Sequence, residues 1–145
     1  QVLALTGCDL TVVGRHRNKL DILASRGIAV QMGDPLFATK ADLVVECTGQ
    51  AEGFQMARNL VRPRGTLILK STYQGRIDAD LSDLVVNEIQ LLGSRCGPFP
   101  AALRLLALGL VDVVPLIDAT YPLDEVVEAF EHAGRRGTLK VLVRP

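Results

Sequence analysis

The sequence has 145 residues, 48% of them hydrophobic and 22% charged, the size and apolar content of one globular domain able to bury a core. Sixteen basic residues balance sixteen acidic ones, so no whole-chain field draws nucleic acid or an anionic membrane, and neither is expected as a partner. Apolar runs are broken by Asp, Arg, Gly or Pro well short of the roughly 20 residues of a membrane span, and no signal pattern opens the chain; a soluble, cytoplasmic setting is expected.

In chain order, QVLALTG reads as the last turns of a helix closed by Gly7, so the chain is expected to start in mid-element. Residues 9–14, DLTVVG, form a β-branched strand candidate, and 18–26 carry Leu20, Leu23 and Ala24 at helical spacing before Gly27. A short strand at 28–30 follows. The run DLVVECTG at 42–49 is nearly all apolar, as a parallel strand covered on both faces would be. Residues 51–60 place Phe54, Ala57, Leu60 and Val61 on one helical face, the RPRG stretch at 62–65 should stop that helix, and a strand should resume at 66–70. A strand at 89–93, a helix at 101–108, a helix at 124–133 and a strand at 140–143 complete the reading. The βαβαβ alternation predicts an α/β fold with a doubly wound parallel sheet.

Cys8, Cys47 and Cys96 are odd in number and far apart, which matches neither a disulfide framework nor CxxC zinc spacing. His16 and His132 are equally isolated. Three reduced thiols and no metal site are expected within this chain.

Taken together, VVGRHRNKL, ADLVVECTG, LVRPRGTLILKSTY, NEIQLLGSRCGPF and YPLDEVVEAFEHAGRRGTLKVLVRP resemble, in order and spacing, the cofactor domain of zinc-type medium-chain dehydrogenases/reductases, the alcohol dehydrogenase-like family. The resemblance covers essentially the whole chain. It implies a Rossmann-type sheet incomplete at its N-terminus, because the first strand and the glycine-rich phosphate loop have no counterpart here. Residues 1–145 would then be a truncated nicotinamide-dinucleotide-binding domain, with the catalytic domain outside the chain. No catalytic residue is assigned, and zinc belongs to the parent protein only.

In such a fold the ligand crosses the carboxyl ends of the strands. After the first strand come Gly14, Arg15, His16, Arg17 and Lys19. Relatives using NAD typically carry an acid at the Gly14 place to accept from the ribose hydroxyls; here Arg15 and Arg17 offer planar forks to a 2′-phosphate, and Lys19 resembles a lysine that reaches the ribose. A solvated basic loop capping a helix start is the other reading of the same residues. Thr48 and Gly49 end the second crossing, where backbone could approach the adenosine half. Glu46 and Cys47 lack partners at metal or catalytic spacing. Lys70, Ser71 and Thr72, with Ser94 and Cys96, match segments whose backbone holds the nicotinamide carboxamide, and Lys140 matches a basic position reaching the pyrophosphate.

The resemblance therefore implies NADP as cofactor, with NAD possible, and a parent enzyme moving a hydride between NADP(H) and an alcohol or carbonyl substrate. A nucleotide-sensing regulatory domain without catalysis is the alternative that fold alone leaves open. The segment from Ile89 to Gly93, IQLLG, puts apolar residues on the expected outer edge of the sheet, and a homodimer through that strand is expected.

Overall fold

The computed structural model describes residues 1–34, 40–73 and 75–145. They divide into two units, one formed by Gln1–Pro35 with Pro98–Pro145 and the other by Leu36–Gly97. The first opens on a 3-10 turn, Leu3–Thr6, that ends at Gly7 with φ 75°, the left-handed conformation a glycine adopts without a Cβ penalty. Strand β1 (Thr11–Gly14) leads through helix α1 (Arg17–Ala24) to β2 (Ala29–Met32), and the two strands pair in parallel, with Thr11 opposite Ala29 and Gly14 opposite Met32. Leu20 of α1 is buried and lies over the strand end: a Cβ on Gly14 would stand 3.0 Å from Leu20 Cδ2.

In the second unit, β3 (Ala41–Glu46), α2 (Ala51–Leu60), β4 (Val61–Leu69), α3 (Leu81–Val86) and β5 (Gln90–Gly93) give a three-stranded parallel sheet in the order β3-β4-β5. Phe54, Ala57, Val61 and Leu67 form its core, flanked by Val44, Leu69, Tyr73, Ile77, Ala79 and Ile89. Helix α2 has Glu52 in its first turn and Arg58 in its last, each at the end of the helix dipole that favours its charge. Helix α3 starts on Asp80, whose side chain accepts from the backbone N–H of Ser82 and Asp83.

The chain then returns to the first unit with α4 (Phe99–Ala107), β6 (Ile117–Pro122), α5 (Val126–Ala133) and β7 (Lys140–Arg144); β6 and β7 form another parallel pair. Every strand pairing among the described residues is parallel, and the intervening helices make each a βαβ unit. This is the expected α/β fold. Among the described residues the pairing falls into three strips, with β1 and β3 each paired along one side.

Three details differ from the sequence reading. Residues 62–65 do not interrupt β4, because the strand absorbs them as a bulge: Ala41 faces Val61 but Leu43 already faces Thr66, and Arg64 takes φ 61°. Helix α3, which buries no residue, and strand β6 were not expected. The strand expected at 42–49 ends at Glu46, with Cys47–Gly49 forming the turn into α2.

Candidate functional site

The strand ends of the second unit are tied by polar contacts. Glu46, the last residue of β3, is 2% exposed. Its Oε1 accepts from the Thr48 backbone N–H and from Thr48 Oγ1, both at 2.5 Å, and its Oε2 accepts from the Tyr73 hydroxyl. Burial alone would raise the Glu46 pKa. The hydrogen bonds from the Thr48 hydroxyl, Tyr73, the Thr48 N–H and Ser71 outweigh it and hold the carboxyl below its usual range. For Tyr73, burial and the adjacent carboxylate push the phenol well above its ordinary value. Although Cys47 as a residue is exposed, partial desolvation of its thiol first and the Glu46 charge second raise its pKa, the opposite of an activated nucleophile.

Gly49, at φ 71°, donates its N–H to Ser71 Oγ at 2.9 Å, and a Cβ there would lie 3.9 Å from the Thr72 carbonyl. Gly53 on the first turns of α2 is more tightly held, since a Cβ would fall 1.8 Å from Thr48 Oγ1. The Lys70 N–H donates to the Glu46 carbonyl and the Ser94 N–H to the Leu69 carbonyl, both at 2.9 Å, while the Lys70 ammonium donates to the Arg95 carbonyl. Thr48, Gly49, Lys70, Ser71, Thr72 and Ser94 are thus brought together at one end of one sheet. Cys96 lies exposed two residues beyond Ser94.

The other expected residues belong to the first unit. Gly14 ends β1; Arg15 is exposed and makes no side-chain hydrogen bond or ion pair among the described residues. His16 is the N-cap of α1, its carbonyl accepting from the Lys19 and Leu20 N–H groups. Arg17 Nε is engaged by Asp21 at 2.8 Å, so its fork is partly committed. Lys19 Nζ donates to the Thr138 carbonyl at 3.2 Å, which brings the segment leading into Lys140 beside α1. Gly14, Arg15, His16, Lys19 and Lys140 therefore share one region, with Lys140 exposed at the start of β7.

Sequence reasoning passed over Glu46 and Tyr73 as members of this arrangement. The signal was there in part: a carboxylate closing an otherwise apolar buried strand needs donors, and Thr48, Ser71 and Tyr73 were the hydroxyls nearest the strand ends. No group of three or more His, Cys, Asp and Glu side chains converges among the described residues. Cys8, Cys47 and Cys96 are separate exposed thiols, so the donors here do not fit a zinc centre.

Parallel βαβ units with polar backbone and hydroxyl groups gathered where strands end define the chain as a Rossmann-type α/β cofactor-binding fold. The chain belongs to the zinc-binding dehydrogenase family, whose profile matches residues 1–108. It is 28% identical over 113 residues to the sorbitol dehydrogenase of Mus musculus, covering 77% of this chain and 32% of that protein. Its fold matches a thermostable alcohol dehydrogenase from Pyrobaculum aerophilum with a TM-score of 0.82 at 25% identity, covering 98% of this chain and 44% of that one. It also matches a Sinorhizobium meliloti protein assigned to the zinc-binding dehydrogenases and bound to NADP, with a TM-score of 0.81 at 24% identity over 93% of this chain and 44% of that one. The chain spans about a third of the length of mouse sorbitol dehydrogenase. No helix among the described residues is long and apolar enough to cross a membrane.

Proposed function

We propose that this chain is the cofactor-holding part of a longer oxidoreductase that transfers a hydride between NADP(H) and an alcohol or carbonyl carbon of a small molecule. The observation that carries the reading is the end of β1: Gly14 supplies no carboxylate, and the next residue, Arg15, presents an exposed guanidinium without a protein partner among the described residues. A ribose 2′-phosphate carries about −1.5 to −2 charges near neutral pH by analogy with other phosphomonoesters, and a planar fork is the side chain best shaped to accept it. His16 and Arg17 assist from the same turn, Lys19 reaches the ribose, and Lys140 meets the pyrophosphate.

At the other unit, the backbone groups of Thr48, Gly49, Lys70, Ser71, Thr72, Ser94 and Cys96 that strand and turn hydrogen bonds leave open would hold the adenosine and nicotinamide sides. Bound nicotinamide supplies the hydride acceptor or donor. In this reading zinc is held by parts of the enzyme beyond these residues. The Pyrobaculum neighbour is named an alcohol dehydrogenase and the Sinorhizobium neighbour is bound to NADP; both support the choice. Strand β5, outermost in its sheet and with Leu91 and Leu92 exposed, supports a homodimer through that edge. The test compares kcat/KM for NADP(H) and NAD(H) in the full-length protein with an alcohol and its carbonyl partner. A preference for NADP(H) is expected; a preference for NAD(H) overturns the cofactor assignment.

A further inference from the structure

Glu46 is the only buried carboxylate among the described residues, and none of the ion pairs there includes it. Burying a carboxylate without a counter-ion is unfavourable unless donors saturate it. Here the donors come from two segments of different kinds: Thr48 belongs to the turn between β3 and α2, and Tyr73 to the loop that follows β4. A second bridge, Gly49 N–H to Ser71 Oγ at 2.9 Å, joins the same two segments. Tyr73 itself packs against the core of Phe54, Ala57, Val61 and Leu67, which holds this donor in place.

We propose that Glu46 is a positioning residue for the dinucleotide, holding the β3–α2 turn and the loop after β4 at one fixed separation so that a single ligand meets both. The proposal rests on the cofactor reading above, in which the turn faces the adenosine half and the Ser71–Thr72 backbone faces the nicotinamide carboxamide. A ligand that bridges two contacts gains from their preset spacing, because no ordering remains to be done when it binds; a fragment touching one contact gains nothing from it. The Thr48 hydroxyl gives its single proton to Glu46 and accepts from the Gln50 N–H at 3.2 Å. It is therefore occupied within the protein, and Thr48 serves the site through its place in the turn.

The test titrates the full-length protein with NADPH and, separately, with 2′,5′-ADP, which lacks the nicotinamide half. Tyr73→Phe removes one donor to Glu46 while keeping the ring in the core; Glu46→Ala removes the hub. NADPH affinity should fall about fivefold in Tyr73→Phe, the worth of one hydrogen bond, and further in Glu46→Ala. Affinity for 2′,5′-ADP should stay within twofold in Tyr73→Phe, although that variant should melt somewhat below the wild type because buried Glu46 loses a donor. Equal loss of both ligands, or a Tyr73→Phe protein that melts well below wild type and loses the fragment too, makes Glu46 a purely structural residue and overturns the proposal. Unchanged NADPH affinity in Tyr73→Phe overturns it while leaving the cofactor reading intact. A wild type that binds no NADPH overturns both.

Discussion

The two units of this chain handle polar groups in opposite ways. In Leu36–Gly97 a core of Phe54, Ala57, Val61 and Leu67 supports a buried carboxylate whose oxygens are saturated by hydroxyl and amide donors. In the unit built from Gln1–Pro35 and Pro98–Pro145, Leu20 and Ala129 are the buried hydrophobics among the described residues, and Arg15 and Arg17 beyond β1 are exposed. The difference follows from the two tasks proposed for them. Presenting backbone groups to a ring needs a scaffold with no freedom left, which dense packing and satisfied hydrogen bonds provide. Recognising a phosphate needs charge left available to the ligand, and charge stays available only where the protein does not consume it.

If that contrast is right, equivalent glycine substitutions should have unequal effects. Gly53→Ala puts a Cβ 1.8 Å from Thr48 Oγ1, 2.8 Å from Thr48 Cβ and 2.9 Å from Thr48 Cγ2; rotating the threonine moves Oγ1 and Cγ2 but leaves the clash with its Cβ. Alanine gains about 1 kcal/mol of helix propensity over glycine, but overpacking of this kind costs typically 1–3 kcal/mol and can exceed that. A net loss of about 1–2 kcal/mol is expected in a denaturant unfolding series. Gly14→Ala meets the Leu20 side chain alone, at 3.0 Å from Cδ2 and 3.4 Å from Cγ, and a shift of a few tenths of an ångström in that side chain accommodates it. That variant should stay within about 0.5 kcal/mol of wild type. Equal losses at the two positions would erase the distinction between a rigid and a tolerant strand end.

The open charge in the first unit is tested by Arg15→Ala. Losing a charge-assisted hydrogen bond to the 2′-phosphate should lower kcat/KM for NADP(H) by roughly tenfold to a hundredfold, with NAD(H) barely moved. Gly14→Asp should shift the preference toward NAD(H), because the new carboxylate repels the phosphate and accepts from the ribose. Arg17→Ala should cost less than Arg15→Ala, since Asp21 already holds Arg17 Nε. Added salt should weaken the preference at so exposed a site. Equal loss for both cofactors in Arg15→Ala would make Arg15 a solvated loop residue.

The same contrast explains what could be read from the chain itself. Strands β1, β3 and β7 and helices α1, α2 and α5 announce themselves as apolar runs of the right length or period, and the residues at strand ends follow from the fold rule. Helix α3 is six residues whose Leu81, Val85 and Val86 are all exposed, so it has no buried stripe to leave a pattern. Strand β6, IDATYP, does alternate apolar and polar residues from Ile117 to Tyr121, a short strand signal that the reading passed over. The Glu46 network was hidden for a different reason. Its donors lie two and twenty-seven positions away, and only the parallel register that sets Glu46 opposite Leu69 brings Tyr73 to it. Local spacing can offer Thr48 as a donor but carries no trace of the Tyr73 contact.

Strand β5 complicates the contrast, because it belongs to the well-packed unit yet all four of its residues are exposed, Leu91 at 45% and Leu92 at 53%. If a second copy covers this edge, Leu91→Lys should raise the dimer dissociation constant at least about tenfold, since burying an unpaired ammonium at an interface costs more than one leucine contributes. Sedimentation across a concentration series reads the shift. A wild type that is monomeric throughout, or a dimer indifferent to the substitution, removes β5 as the interface.

The smallest expected effect is a pH signature confined to the closed network. Burial by itself would make Glu46 a weaker acid, but the Thr48 hydroxyl, Tyr73, the Thr48 N–H and Ser71 all bond the ionised form and leave its folded value below the ordinary 4.5. The unfolded chain therefore takes up this proton at a higher pH than the folded one. The stability that follows is fully present above the unfolded value and is lost as the pH falls through the lower folded value. At the other extreme, the raised Tyr73 phenol keeps its proton beyond the ordinary phenol value of 10, so across the neutral range the pair has one arrangement, carboxylate with phenol donor. The informative quantity is the difference in unfolding free energy between wild type and Glu46→Gln, in which everything the two proteins share cancels. Glutamine keeps the volume and one acceptor oxygen but carries no titrating proton. The difference should be flat from pH 8 to 6 and shrink progressively below about pH 4.5. A difference that stays constant down to pH 3, or that grows in acid, would mean that the donors around Glu46 do not prefer its ionised form.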